Sequence, residues 1–235
     1  MKLGILLCDH VQPALQEEFA DYQEMFAQLL SQCDSTIELY YYCVVDGVFP
    51  EDIDVCDAYM TSGSKASVND DLPWINALER FVWQLFLAKK SFVGICFGHQ
   101  LIAKTLGGKV ARSDKGWGVG VATTKIHSQE AWMDPAKKTI KLVVSHQEQI
   151  YQLPPQAEVL MGNDFCPYAM IQVGKHFVGL QGHPEFSCDY AKAIMQSRKA
   201  IISEENYNQG LKSLVQSADG KLVMAWLLSF LKQAI

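Results

Sequence analysis

No stretch of this 235-residue chain approaches the roughly 18 consecutive apolar residues that a bilayer-spanning helix needs. A basic surplus is missing as well. Lys and Arg number 20 against 26 Asp and Glu, for a net charge of −6, which argues against a nucleic-acid-binding surface. No C-x-x-C pair occurs. The seven cysteines (Cys8, Cys33, Cys43, Cys56, Cys96, Cys166, Cys188) are odd in number and scattered, which suits neither a disulfide framework nor a zinc site. They fit a reducing compartment, and the cytoplasm is the expected location. There is no Walker loop and no dinucleotide fingerprint, so no nucleotide, cofactor or metal is expected. Internal repeats, low-complexity runs and Pro/Ser-rich linkers are absent too, and one domain over 1–235 is expected. The apolar opening is short and broken by Asp9, so it reads as a first strand and not as a signal peptide.

What is present centres on Phe92-Val-Gly-Ile-Cys-Phe-Gly-His-Gln100. An apolar run ends on Cys96, glycines flank it at 94 and 98, and an amphipathic segment follows from Gln100 to Leu106. This is the pattern of a buried strand, a sharp turn and a helix, with a cysteine at the strained turn of a G-x-Nuc-x-G elbow. Small glycines permit the close approach, and the helix N-terminus favours thiolate over thiol. A cysteine nucleophile needs a base, and the base needs an orienter. Phe177-Val-Gly-Leu-Gln-Gly-His-Pro-Glu-Phe186 supplies both after a second apolar run. His183 is placed to take the thiol proton. Glu185, two residues on along an extended backbone, lies on the same face to hold the imidazole. Pro184 forbids a helical continuation. The oxyanion donor next to the nucleophile is the backbone N–H of Phe97.

Gly94-Ile-Cys96-Phe-Gly98-His-Gln100 and His183-Pro-Glu185 together resemble the class I glutamine amidotransferase family, over most of the chain from Leu3 to about Phe186. The wording is similar to the amidotransferase domain of GMP synthase, and more so to free-standing relatives including plant γ-glutamyl peptidases. The resemblance implies a Cys96-His183-Glu185 triad on an α/β fold. That fold is a three-layer α/β/α arrangement, flavodoxin-like, with a mostly parallel central sheet and an added small antiparallel sheet. Its second oxyanion donor falls in Ser62-Gly63-Ser64-Lys65, at Ser64 beside Gly63, where many members carry Ser-Gly-Gly-Pro. It also puts Gln100 beside the bound glutamine, and Ser145-His146-Gln147 near the substrate's α-amino and carboxylate groups. Glu148 stands where Asp is usual. Lys115-Gly-Trp117 matches a segment near the site in the peptidase relatives, and His99 reads as packing.

Two enzymatic readings stay open, both acting on glutamine or a small γ-glutamyl compound. One is a glutaminase that passes ammonia to a separate synthetase subunit. The other is a free-standing γ-glutamyl hydrolase. The roughly fifty residues after Glu185 are too few for an ATP-pyrophosphatase domain, which favours stand-alone action or an unlinked partner. A non-enzymatic thiol sensor on the same fold is a third.

Along the chain, strands are expected at 3–8, 36–45, 58–61 and 92–95, alternating with helices at 15–30 and 73–89. Pro73 suits a helix first turn. Strand–helix–strand units of this kind build a parallel sheet covered on both faces, with ligands at the carboxyl ends of its strands. Shorter strands follow within 109–127 and at 139–145, 158–160, 169–173 and 177–180, with a hairpin turn at Gly174-Lys175. Gly107-Gly108 reads as a helix C-cap. Helices close the chain at 189–201 and 221–231.

Overall fold

The computed structural model describes residues 1–233. In chain order the first four strands are β1 (Lys2–Leu6), β2 (Glu38–Tyr42), β3 (Ala58–Thr61) and β4 (Ser91–Ile95). They are followed by β5 (Lys109–Arg112), β6 (Gly118–Ile126), β7 (Thr139–His146) and β8 (Glu148–Gln152), then β9 (Ala157–Gly162), β10 (Met170–Val173) and β11 (Phe177–Leu180). The α-helices are α1 (Pro13–Phe19), α2 (Tyr22–Cys33), α3 (Pro73–Leu87), α4 (Phe97–Thr105), α5 (Cys188–Ser197), α6 (Glu204–Ser213) and α7 (Gly220–Lys232).

Nine strands form one sheet in the order β2-β1-β3-β4-β11-β10-β9-β6-β7. The pairs from β2 through β11 are parallel, and the rest are antiparallel. Following the pairings outward, all strands but β10 and β6 run the same way, so the sheet is mostly parallel as expected. β5 and β8 make the separate small antiparallel sheet.

Alternation along each strand divides the core. Leu3 and Ile5 of β1 and Val93 and Ile95 of β4 pack with Phe26 and Leu30 of α2 and with Trp226 and Leu227 of α7. Leu6 and Phe92 point the other way, toward Leu78, Val82 and Leu85 of α3 and Leu101 of α4. Burial on both faces is why β3 and β4 are apolar at consecutive positions, with polar residues only at their ends, Thr61 and Ser91.

The expected helix over 15–30 is two helices. Asp21 accepts from the Tyr22 N–H and closes a capping box with Glu24, starting a new helix. Ala20 turns the chain at a φ of +61°. α6 was not anticipated, although Ser203 caps it through Asn206 and two glutamates occupy its first turn. β8 was also missed, because its residues gain a strand partner only when β5 folds back across them. The cap at Gly107-Gly108 is a Schellman motif. Gly108 N–H donates to Ala103 O, Gly107 N–H donates to Lys104 O, and Gly107 has a φ of +92°.

Past β11 the chain meets β7. His183 N–H donates to Val143 O at 2.8 Å, a bridge that pins the end of this segment beside the end of β4.

Candidate active site

Cys96 follows the last residue of β4 and precedes the first of α4, with a φ of +49° that a non-glycine residue adopts only under constraint. Its N–H donates to Leu180 O at 2.7 Å. The flanking glycines are required by contact. A Cβ on Gly94 would lie 2.4 Å from the Gly98 carbonyl, and one on Gly98 would lie 1.8 Å from Thr61 Oγ1. Strand, turn and helix therefore pack too closely for any side chain at either position. The positive end of α4 faces the sulfur. Burial pushes the thiols of Cys8 and Cys166 up, the latter to about 12. Cys96 is buried beside an imidazole.

That imidazole is His183. Its Nδ1 lies 2.8 Å from Glu185 Oε1, and the Glu185 side chain is fully buried. Glu185 Oε2 has no hydrogen-bond partner among the described residues, so His183 is the partner that this carboxylate serves. Burial alone would lower the His183 pKa. The charges of Cys96 and Glu185 and hydrogen bonds to both outweigh it and hold the ring protonated well above its usual range. Phe186 stacks on the imidazole face.

Gly63 belongs to the loop after β3, and a Cβ there would come within 2.7 Å of His183 Cε1 and 3.4 Å of Cys96 Cβ. The N–H groups of Gly63 and Ser64 donate to no acceptor among the described residues. Phe97 N–H, in the first turn of α4, lacks a helical partner by position.

Cys96, Phe97, Ser64, Gln100, Ser145, His146, Gln147 and His183 all line one pocket of ≈ 400 Å³. Glu185 stands behind His183, outside it. Gln100 is partly spent on structure, since its Nε2 donates to Glu148 O at 2.7 Å and to Gln181 Oε1 at 3.1 Å. Gln181 in turn reaches Cys96 Sγ at 3.5 Å. Ser145 Oγ accepts from Arg198 Nη1 at 2.9 Å. Burial, with the neighbouring charge on His183, lowers His146 to about 4, against its bond to the Glu148 carbonyl. His146 is therefore a neutral ring that gives its Nδ1 proton to that carbonyl (3.1 Å) and keeps Nε2 as an acceptor. Glu148 Oε2 accepts from Ser67 Oγ at 2.6 Å.

Sequence reasoning missed Arg112, Arg198, Tyr22 and Lys65, which also line the pocket. Arg198 lies over the Trp117 ring, 5.3 Å from its centroid. Gln181 sits inside the Gln-Gly-His-Pro-Glu wording and was legible there. Nothing in the spacing of the arginines marks them.

A mostly parallel α/β sheet thus carries a cysteine elbow and a histidine beyond the ends of two adjacent strands. The model of the family "Glutamine amidotransferase class-I" matches residues 26–203. The chain belongs to the class I glutamine amidotransferase family. It is 27% identical over 213 residues to gamma-glutamyl peptidase 3 of Arabidopsis thaliana, covering 87% of this chain and 85% of that protein. To a glutamine-hydrolyzing GMP synthase of Vibrio vulnificus it is 29% identical over 196 residues, which is 81% of this chain and 35% of the synthase. The crystal structure of a glutamine amidotransferase from Thermotoga maritima superposes with a TM-score of 0.74 at 18% identity, over 98% of this chain and 96% of that one. Among the described residues no helix is long and apolar enough to cross a membrane.

Proposed function

We propose that the chain hydrolyses γ-glutamyl amide bonds through a Cys96-His183-Glu185 triad. The observation that carries this reading is the buried His183–Glu185 contact of 2.8 Å beside Cys96, with Cys96 and His183 both lining the pocket. Cys96 Sγ, as thiolate, adds to the γ-carbonyl carbon, and the carbonyl electrons move onto oxygen. The Phe97 and Ser64 amides hold that oxyanion. When the carbonyl re-forms, the C–N bond breaks and the leaving nitrogen takes the proton from His183. A γ-glutamyl thioester remains. Water gives a proton to His183 and adds to the thioester carbon, the S–C bond breaks, and glutamate leaves. Glu185 keeps the imidazole oriented and stabilises its charged form.

Arg112, Trp117, Arg198 and Ile201 line the same pocket. The similarity to gamma-glutamyl peptidase 3 over 87% of the chain favours a γ-glutamyl peptide as substrate and free-standing hydrolysis. The test is glutamate release from γ-glutamyl dipeptides and from glutamine by the purified chain, against Cys96→Ala. Release from dipeptides by the wild type alone supports the reading. Turnover by the Cys96→Ala variant would sink it. The second reading, a glutaminase that passes ammonia to a separate synthetase, is favoured by the similarity to GMP synthase. It expects silence on dipeptides and glutamine turnover that rises when a synthetase is added.

A further inference from the structure

Asp9 stands outside the pocket, yet its buried carboxylate is tied to the loop that carries the Ser64 amide. Lys65 N–H donates to Asp9 Oδ2 at 2.8 Å, and Lys65 Nζ reaches Asp9 Oδ1 at 2.6 Å. The clamp is double, since Asp9 grips backbone and side chain of the residue next to Ser64. Asp9 Oδ1 also accepts from His10 N–H at 2.9 Å, which fixes the carboxylate itself.

A second tie runs alongside. Cys8 N–H donates to Ser62 Oγ at 2.8 Å, Ser62 Oγ donates to Gly63 O at 3.0 Å, and Ser62 N–H donates to Leu6 O at 3.0 Å. The end of β1 and the segment following it therefore hold residues 62 and 65 from outside. The amides of Gly63 and Ser64 between them stay uncommitted among the described residues. A proline in place of Lys65 would stiffen the loop through its ring but would have no N–H to give. Here the stiffness comes from hydrogen bonds instead.

We infer that Asp9 is a positioning residue, which sets the Ser64 amide at the oxyanion site by clamping Lys65. This rests on the hydrolase reading proposed above. Charge favours the arrangement as well. The Asp9 carboxylate does not face that site as a bare charge, because the Lys65 ammonium pairs with it at 2.6 Å. Two hydrogen bonds to a charged acceptor hold the loop more tightly than neutral ones would.

The experiment uses three readouts on wild type, Asp9→Ala and Asp9→Asn. Turnover of a γ-glutamyl dipeptide requires both the thiolate and the oxyanion donors. Alkylation of Cys96 by iodoacetamide requires only the thiolate. Glutamate γ-semialdehyde adds to Cys96 to form a hemithioacetal oxyanion, whereas product glutamate forms none. The expected result is a kcat roughly 10- to 100-fold lower in Asp9→Ala, short of the loss from deleting an oxyanion donor outright. KM and the alkylation rate should stay within threefold. Affinity for the semialdehyde should fall with kcat while glutamate affinity holds. Asp9→Asn, whose amide oxygen can still accept from Lys65 N–H, should recover part of the loss. The inference is overturned if kcat is unchanged, or if alkylation and glutamate affinity fall in step with it, as general loosening of the site would give. If wild type neither turns over the dipeptide nor binds the semialdehyde, the hydrolase reading fails and the inference falls with it.

Discussion

His183 and Phe186 lie ring against ring, with centroids 4.0 Å apart and 7° between their planes. Only Pro184 and Glu185 separate them in the chain. One short segment thus supplies the carboxylate at the edge of the imidazole and the aromatic slab on its face. Phe186 is itself held by Tyr190, 4.7 Å away and edge-on, and by Tyr22. The ring tilt of His183 is set by packing, and its tautomer by charge.

Phe186→Leu keeps apolar volume and removes the slab. Catalytic geometry is sensitive at the ångström scale, so kcat should fall about 10- to 100-fold while the fold survives. Steady-state kinetics alongside a thermal melt checks this. A variant with wild-type kcat would show that Glu185 orients the ring unaided.

Glu185→Gln leaves a neutral amide against Nδ1, which can donate where the carboxylate only accepts. Loss of the right tautomer should cost kcat about 10²- to 10⁴-fold. The pH profile carries a second signature. Despite burial, the charges of Cys96 and Glu185 raise His183 from 6.5 to about 10. A raised folded pKa gives stability that is complete below about 6.5 and is lost as pH rises through about 10. Activity that needs the imidazolium falls across the same alkaline end. In Glu185→Gln that limb should move to lower pH, read from kcat against pH.

Two other histidines carry the opposite sign. Burial lowers His99 to about 3, and burial with the His183 charge lowers His146 to about 4. Depressed folded values give stability that is present above about 6.5 and is lost as pH falls toward 4. Between pH 7 and pH 5 each of these groups should withdraw about 2 kcal/mol. Urea unfolding at the two pH values measures it, and a midpoint that does not move contradicts it.

Gly98→Ala tests the elbow. Inside a helix this change alone would stabilise by about 0.5–1 kcal/mol. Here the new Cβ would fall 1.8 Å from Thr61 Oγ1, so strand and helix must separate. The steric term wins, and overpacking of this kind costs about 1–3 kcal/mol. The melting temperature should drop and activity should collapse with it.

Arg198→Leu tests the pocket wall beside Ser145. The guanidinium stacks on Trp117 and donates to Ser145, with further N–H groups on a pocket wall. Ser145 is expected near the substrate's α-carboxylate, which glutamine and γ-glutamyl dipeptides share, and Arg198 donates to Ser145. The variant should lose about tenfold in kcat/KM on a γ-glutamyl dipeptide and on glutamine alike, in line with one charge-assisted hydrogen bond. An unchanged kcat/KM on both would place Arg198 in structure alone.

Much of this site was legible because its chemistry sits where strands end. Phe92-Val-Gly-Ile-Cys96 and Phe177-Val-Gly-Leu-Gln-Gly-His183 each announce a buried strand followed by a candidate site residue, and β4 and β11 pair in register. The Asp21–Glu24 box was present in the sequence too, but the apolar period over 15–30 masked the break at Ala20. The pocket walls were not legible. Arg112 and Arg198 lie far apart on elements with no shared spacing, and only the folding of β5 and α5 brings them to Cys96. Nor does local sequence tell Asp9 from any polar residue after a strand. Its role depends on a loop more than fifty residues away, and long-range hydrogen bonds leave no periodic trace.

The proposed chemistry requires a γ-glutamyl thioester on Cys96, and acid-quenched turnover read by intact-protein and peptide mass spectrometry detects that intermediate. With a γ-glutamyl dipeptide in excess, the account predicts one γ-glutamyl group on the peptide containing Cys96, absent from Cys96→Ala and accumulating in a variant slow to deacylate. Release of glutamate with no adduct in any quenched sample, or with the adduct on another residue, would contradict it.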